Sequence, residues 1–205
     1  GVVGPVRSGK STFIKRFMDV LVLPKMTDEH AKERTVDELP QSASGKSIMT
    51  TEPKFVPKEA AEIQLAKDVS VLVRLIDCVG YMVEGAAGHM ENGAERLVKT
   101  PWNEKEIPFT KAAEIGTKKV IHDHSTIGIV VTTDGSIGEL PRNSYRAAEK
   151  KTIQELKSIG KPFVVLVNTR KPYSAEAKNV AEEIQKEYQV TALPVNCEQL
   201  REEDI

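Results

Sequence analysis

The first chemical signal is the run Gly4-Pro5-Val6-Arg7-Ser8-Gly9-Lys10-Ser11, which fits G-x-x-x-x-G-K-[ST] at every position. That spacing is the signature of a phosphate-binding loop. Glycines let consecutive backbone N–H groups turn inward around one anion, Lys10 supplies a point charge for the β and γ oxygens, and Ser11 offers a hydroxyl to Mg²⁺. The candidate phosphate contacts are Gly4, Arg7, Ser8, Gly9, Lys10, Ser11 and Thr12. The setting agrees. Gly1-Val2-Val3 reads as the end of a strand, and Ser11 onward opens a helix whose N-terminus adds its dipole to anion binding.

Farther along, Asp77-Cys78-Val79-Gly80 closes an apolar strand as D-x-x-G. There an Asp can hold the metal's water shell while the Gly80 N–H meets the γ-phosphate. Thr50 and Thr51 sit in a polar stretch between the first helix and the second strand, where nucleotide switches place the loop that senses the γ-phosphate. Their hydroxyls suit Mg²⁺ and an attacking water. The predicted metal set is Ser11, Thr50, Thr51 and Asp77, and the catalytic set Thr50, Thr51, Asp77 and Lys10. Tyr81 stands where many small GTPases carry a water-orienting Gln. After the predicted fifth strand those GTPases place N-K-x-D; this chain reads Asn168-Thr169-Arg170-Lys171. A Lys cannot accept the guanine donors, so the expectation is ATP, with Asn168 and Thr169 among the nucleotide contacts.

The elements that must position these residues follow from hydrophobic period and punctuation. Phe13, Phe17, Val20 and Leu21 recur at helical spacing, ending before Pro24. Residues 25–57 read as a long polar loop. Residues 61–66 and 69–77 read as a hairpin, which puts an antiparallel strand at the edge of an otherwise parallel sheet. Residues 81–109 read as a second long loop. Then come a helix over 111–124, a strand from 125 that ends in the Asp134-Gly135 turn, and a helix from Pro141 to about Ile159. A strand over 163–167, a helix over 174–188 and a strand over 191–195 follow, and residues 198–205 look like the start of another helix. This is a three-layer α/β phosphate-loop fold of the GTPase (TRAFAC-like) branch, with its ligand at the carboxyl ends of the strands.

The 205 residues suit one domain, and 40% hydrophobic with 29% charged residues describe a soluble globular chain. The sequence starts three residues before the loop, and a central strand is normally longer, so the chain reads as a fragment with a truncated first strand. A formal net charge of -1 argues against nucleic acid as partner. Cys78 and Cys197 have no metal spacing and read as free, packing thiols in the cytoplasm. His122 and His124 fall on different helix faces and cannot pair on a metal. No apolar run reaches the roughly 20 residues of a membrane span.

Several segments together resemble one family. They are Gly1 to Lys15, Asp37-Glu38-Leu39-Pro40-Gln41-Ser42-Ala43, Met49-Thr50-Thr51-Glu52-Pro53-Lys54-Phe55-Val56-Pro57, Asp77 to Tyr81, and Ile127 to Gly135. They are similar to the stage IV sporulation protein A family of endospore-forming Firmicutes, and the resemblance extends over essentially the whole chain. It implies an ATPase descended from the GTPase branch, whose hydrolysis drives self-assembly into a shell on the outer forespore membrane, beneath the spore coat. It further implies a mother-cell location, a small amphipathic membrane peptide and a coat morphogenetic protein as partners, and regions beyond Ile205 for anchoring and polymer contacts. In the family Lys10 matches the phosphate-loop lysine, Asp77 the Mg²⁺-associated aspartate, and Thr50 and Thr51 the threonines that sense or help cleave the γ-phosphate. Two alternatives stay open: a non-hydrolysing module clamped by nucleotide, and a GTPase switch.

Overall fold

The structure is a computed structural model that describes residues 1–40, 51–91 and 93–205. Short β1 (Val2–Val3) leads through the phosphate loop into α1 (Lys10–Phe17), which continues as a wider turn over Met18–Val22. Helix α2 (Glu29–Glu38) precedes the long hairpin of β2 (Lys54–Ala66) and β3 (Val69–Asp77). Two small antiparallel pairs follow, β4 (Met90–Glu91) with β5 (Ala94–Glu95) and β6 (Leu97–Thr100) with β7 (Asn103–Pro108). Then come α3 (Phe109–Lys119), β8 (Gly128–Thr133), α4 (Arg142–Ser158), β9 (Phe163–Asn168), α5 (Ala175–Tyr188) and β10 (Ala192–Val195).

The main sheet runs β10-β9-β8-β1-β3-β2, with every pairing parallel except β2 against β3. Both edge strands hold a proline, Pro57 in β2 and Pro194 in β10. Proline lacks the N–H that an interior strand must donate on both sides, so it belongs at an edge. The interior strands β8 and β9 read GIVVTT and FVVLVN, the β-branched composition of strands covered on both faces.

Alternate residues of those strands feed two cores. On one face Val2, Val131 and Leu166 meet Phe13, Ile14 and Met18 of the first helix. On the other, Val3, Val130, Val165 and Val167 meet Val120, just past α3, and Tyr145, Ile153, Leu156 and Ile184 of α4 and α5. Burying each such side chain contributes about 1.5–3 kcal/mol. The phosphate loop therefore hangs between a fully buried strand and a helix anchored by Phe13, Ile14 and Met18, and its position is set by the core.

The structure departs from the expectation in three places. Residues 25–57 were expected to lack regular structure, yet Asp28 caps α2 by accepting from His30 N at 3.0 Å and Ala31 N at 3.2 Å, and β2 begins at Lys54. The expected loop 81–109 contains β4 to β7. The residues from 198 on form no α-helix, only one 3-10 turn at Glu202–Asp204. Among the described residues no helix is long and apolar enough to cross a membrane.

Candidate functional site

Between β1 and α1 the backbone turns at Gly4 (φ 135°) and Gly9 (φ 96°). A Cβ on Gly4 would sit 2.3 Å from the Val131 carbonyl oxygen, and one on Gly9 2.2 Å from Asn168 Nδ2, so neither position admits a side chain. Arg7, between them, also has a left-handed backbone at φ 59°. Lys10 is buried, and its Nζ donates to the Pro5 carbonyl at 2.6 Å, closing the loop on itself. Burial pushes the Lys10 pKa down, opposed by Cys78 and Asp77. Among the described residues no backbone carbonyl accepts from the N–H groups of Ser8, Gly9, Lys10, Ser11 or Thr12, which leaves them for an anion.

Strand β3 delivers Asp77 to the other side of the loop. Ser11 Oγ donates to Asp77 Oδ2 at 2.7 Å, while Asp77 Oδ1 is buried with no hydrogen-bond partner among the described residues. Burial raises the Asp77 pKa, and the Ser11 hydrogen bond and the Lys10 charge oppose it. A buried carboxylate oxygen without a donor beside a serine hydroxyl and a lysine fits a hydrated Mg²⁺.

Gly80 (φ 96°) comes so close that an added Cβ would lie 2.2 Å from the Gly4 carbonyl oxygen and 2.7 Å from Lys10 Nζ. The chain then zips onto the loop: Tyr81 N donates to Gly4 O at 3.1 Å and Val6 N to Tyr81 O at 2.8 Å. The Tyr81 ring is buried with Lys151 Nζ 4.6 Å from its centroid. Cys78 is buried, its thiol pushed up to about 11, chiefly by burial, which makes it a packing group.

The carboxyl ends of β8 and β9 form the neighbouring edge. Asn168 is a two-way clip, with Nδ2 donating to Ser8 O at 3.1 Å and Oδ1 accepting from Cys197 N at 3.1 Å. Thr169 Oγ donates to Asp134 Oδ2 at 2.6 Å, and Ser136 Oγ to Asp134 Oδ1 at 2.6 Å. Lys171 is exposed. Asp134 and Ser136 are the residues that sequence reading passed over, although a carboxylate at the end of a parallel strand was the available signal. Beneath them Arg142 grips buried Glu149 with both terminal nitrogens, at 2.6 and 2.8 Å, and Thr132 Oγ donates to the same carboxylate at 2.6 Å.

Lys10, Ser11, Asp77 and Gly80 thus meet at one point, with Asn168 holding the loop from the side. Thr51 is buried with its carbonyl against Gly116 of α3, where an added Cβ would meet it at 2.5 Å. No hydrogen bond among the described residues links Thr51 to Lys10, Ser11 or Asp77. Thr50 lies outside the described residues.

The sequence profile of the stage IV sporulation protein A ATPase domain matches residues 1–205. The chain belongs to the stage IV sporulation protein A family. It is 57% identical to the stage IV sporulation protein A of Clostridioides difficile (strain 630), 51% to that of Bacillus anthracis and 50% to that of Bacillus subtilis (strain 168), each over 205 residues. All of this chain is covered, and it spans 42% of the length of these relatives. The matched residues 1–205 include the phosphate loop, Asp77 to Gly80 and the Asn168 to Lys171 edge.

Proposed function

We propose that this chain is a slow, Mg²⁺-dependent ATPase on a GTPase-type (TRAFAC-like) scaffold, and that hydrolysis drives self-assembly of the longer protein at the outer forespore membrane. The carrying observation is the 2.7 Å contact of Ser11 Oγ with Asp77 Oδ2 beside buried Lys10. The sheet order with antiparallel β2 at one edge supports the GTPase-type scaffold. The cation at Lys171, where a guanine-reading carboxylate would stand, supports ATP.

In this reading the loop N–H groups and Lys10 hold the β and γ oxygens, and Gly80 N–H holds the γ-phosphate. Mg²⁺, when bound, neutralises charge on those oxygens. Ser11 supplies its hydroxyl, Asp77 orders its water shell, and Thr50 and Thr51 hold the attacking water or the metal. Among the described residues no three or more His, Cys, Asp or Glu cluster as a metal site, and in this reading phosphate oxygens and water would complete the shell. Asn168 and Thr169 fix the base edge. The small amphipathic membrane peptide, the coat morphogenetic protein and the mother-cell cytoplasm come with the family reading.

The test is phosphate release with ATP or GTP, with and without Mg²⁺. ATP turnover should exceed GTP turnover and fall by at least 100-fold in Lys10→Ala and Asp77→Ala. Equal or faster GTP turnover overturns the ATP assignment. A second reading, a nucleotide clamp that does not hydrolyse, draws on the inward-turned Tyr81, which leaves the usual glutamine position without a side chain for water. It requires tight ATP binding without phosphate release, and assembly that survives Thr51→Ala.

A further inference from the structure

We propose that Arg7 is a catalytic residue, an arginine finger carried in cis by the phosphate loop itself and parked on the Ala87 carbonyl. The inference rests on the ATPase reading above. Its first support is backbone conformation. Arg7 has φ 59° in a loop whose neighbouring turning points, Gly4 and Gly9, are glycines. An L side chain held in the left-handed region is strained, and such strain collects where the side chain is used. A glycine at this position would relieve it.

The second support is where the guanidinium lies. Arg7 is exposed at the mouth of the loop, and its Nη2 donates 3.2 Å to the carbonyl of Ala87, in the segment that follows Gly80. Its charge also reaches the buried Tyr145 phenol of α4. Arg7 therefore spans from the phosphate loop to the segment that begins with the γ-phosphate contact. Exchanging the Ala87 carbonyl for a phosphate oxygen as acceptor would turn this guanidinium nitrogen toward the nucleotide.

The third support is the vacancy in the catalytic inventory. Tyr81, one residue past Gly80, is 3% exposed with its ring beneath Lys151. It is tied to the loop by Tyr81 N to Gly4 O at 3.1 Å and Val6 N to Tyr81 O at 2.8 Å. A side chain so placed neither orients water nor meets developing charge. Arg142 is committed to Glu149. Phosphoryl transfer depends almost wholly on positioning and charge stabilisation, so a second cation at the loop, beside Lys10, would add what Tyr81 does not supply.

The step balances as follows. The water oxygen forms a bond to the γ phosphorus as the bond from that phosphorus to the β–γ bridging oxygen breaks. The electron pair of the broken bond stays on the bridging oxygen, which becomes a terminal oxygen of ADP. The water proton leaves on the inorganic phosphate. Negative charge grows on the bridging and γ oxygens, and the planar guanidinium of Arg7 neutralises it with paired N–H donors.

The decisive variant is Arg7→Gly in the full-length protein, because glycine accepts φ 59° and keeps the loop. With Mg²⁺, its affinity for a non-hydrolysable ATP analogue should stay within a few-fold of wild type. Its affinity for ADP with aluminium fluoride, which mimics the transferring phosphoryl group, should fall at least about 100-fold, and kcat about 10²–10³-fold. Arg7→Lys should recover little of either, since a lysine lacks the fork. Arg7→Gly binding ADP with aluminium fluoride as tightly as wild type would overturn the proposal and leave Arg7 a tether between two loops. A wild-type protein that bound no nucleotide at all would sink the ATPase reading, and the finger with it.

Discussion

Burial works against both charged groups that would grip the triphosphate. Lys10 loses solvent, so its folded pKa lies below the ordinary 10.5 and stability rises with pH between those two values. For Asp77 the folded pKa lies above the ordinary 3.8. Below 3.8 the carboxyl is protonated whether folded or not. As pH climbs through the folded pKa the unfolded chain ionises more readily, and stability is lost. At neutral pH both groups therefore weigh against the fold. Asp77→Asn should raise Tm at pH 7, and the gain should shrink to nothing by roughly pH 3, where the wild-type carboxyl is protonated. Thermal melts across that range check the sign. Lys10→Met keeps the length and apolar stem while removing the desolvated ammonium. Its Tm should be no lower than wild type, while ATP binding, followed by fluorescent-nucleotide titration, should fall at least 100-fold.

At the scale of elements, the loop's shape depends on what lies beside it. Asn168, at the end of β9, satisfies Ser8 O and Cys197 N at once. Asn168→Ala leaves two buried backbone groups without partners and should cost about 2–4 kcal/mol in urea unfolding. Glu149 holds the start of α4 under β8 through Arg142, and removing one partner of a buried ion pair costs about 3–5 kcal/mol. Glu149→Ala should fall toward the lower end of that range by the same measurement, because the mostly covered Arg142 would lose its carboxylate partner. Which elements were legible in the sequence follows from how strongly each patterns its apolar residues. The phosphate loop and Asp77-x-x-Gly80 were readable from motif spacing, and the hairpin and the alternation of β8, α4, β9 and α5 from apolar residues recurring at period two or 3.6. Helix α2 was not, because EHAKERTVDE buries only Thr35 and its one clear signal is the Asp28 cap. β6 and β7 are short, polar and half exposed, so no alternation marks them. Within the candidate site, Ser11 touches Asp77 and the Lys10 charge lies beside it. The Asp134 hub with Thr169 and Ser136 was hidden because its partners lie on different strands, joined only when β8 pairs with β9.

Over the whole molecule, the order β10-β9-β8-β1-β3-β2 brings the ends of β1, β3, β8 and β9 to one edge, with Ser11, Asp77, Asp134 and Asn168 arriving from segments far apart in sequence. A ligand gripped there ties together both halves of the sheet, so its binding energy becomes stability of the entire fold. A ligand that binds only the folded chain stabilises it by RT ln(1 + [L]/Kd), about 2.7 kcal/mol at 100 times Kd. Lys10 and Asp77, each destabilised by burial, would gain phosphate and metal as partners, so the stabilisation should be larger with both than with either alone. ATP with Mg²⁺ should raise Tm by several degrees, ATP with chelator by clearly less, and Mg²⁺ alone hardly at all. The metal's share should disappear in Asp77→Asn, since an amide cannot replace the buried carboxylate that orders the water shell, while the part due to ATP alone persists. Equal shifts with Mg²⁺ and with chelator in the wild-type chain would show that Asp77 orders no metal, and would remove the Ser11 and Asp77 contact from the functional site.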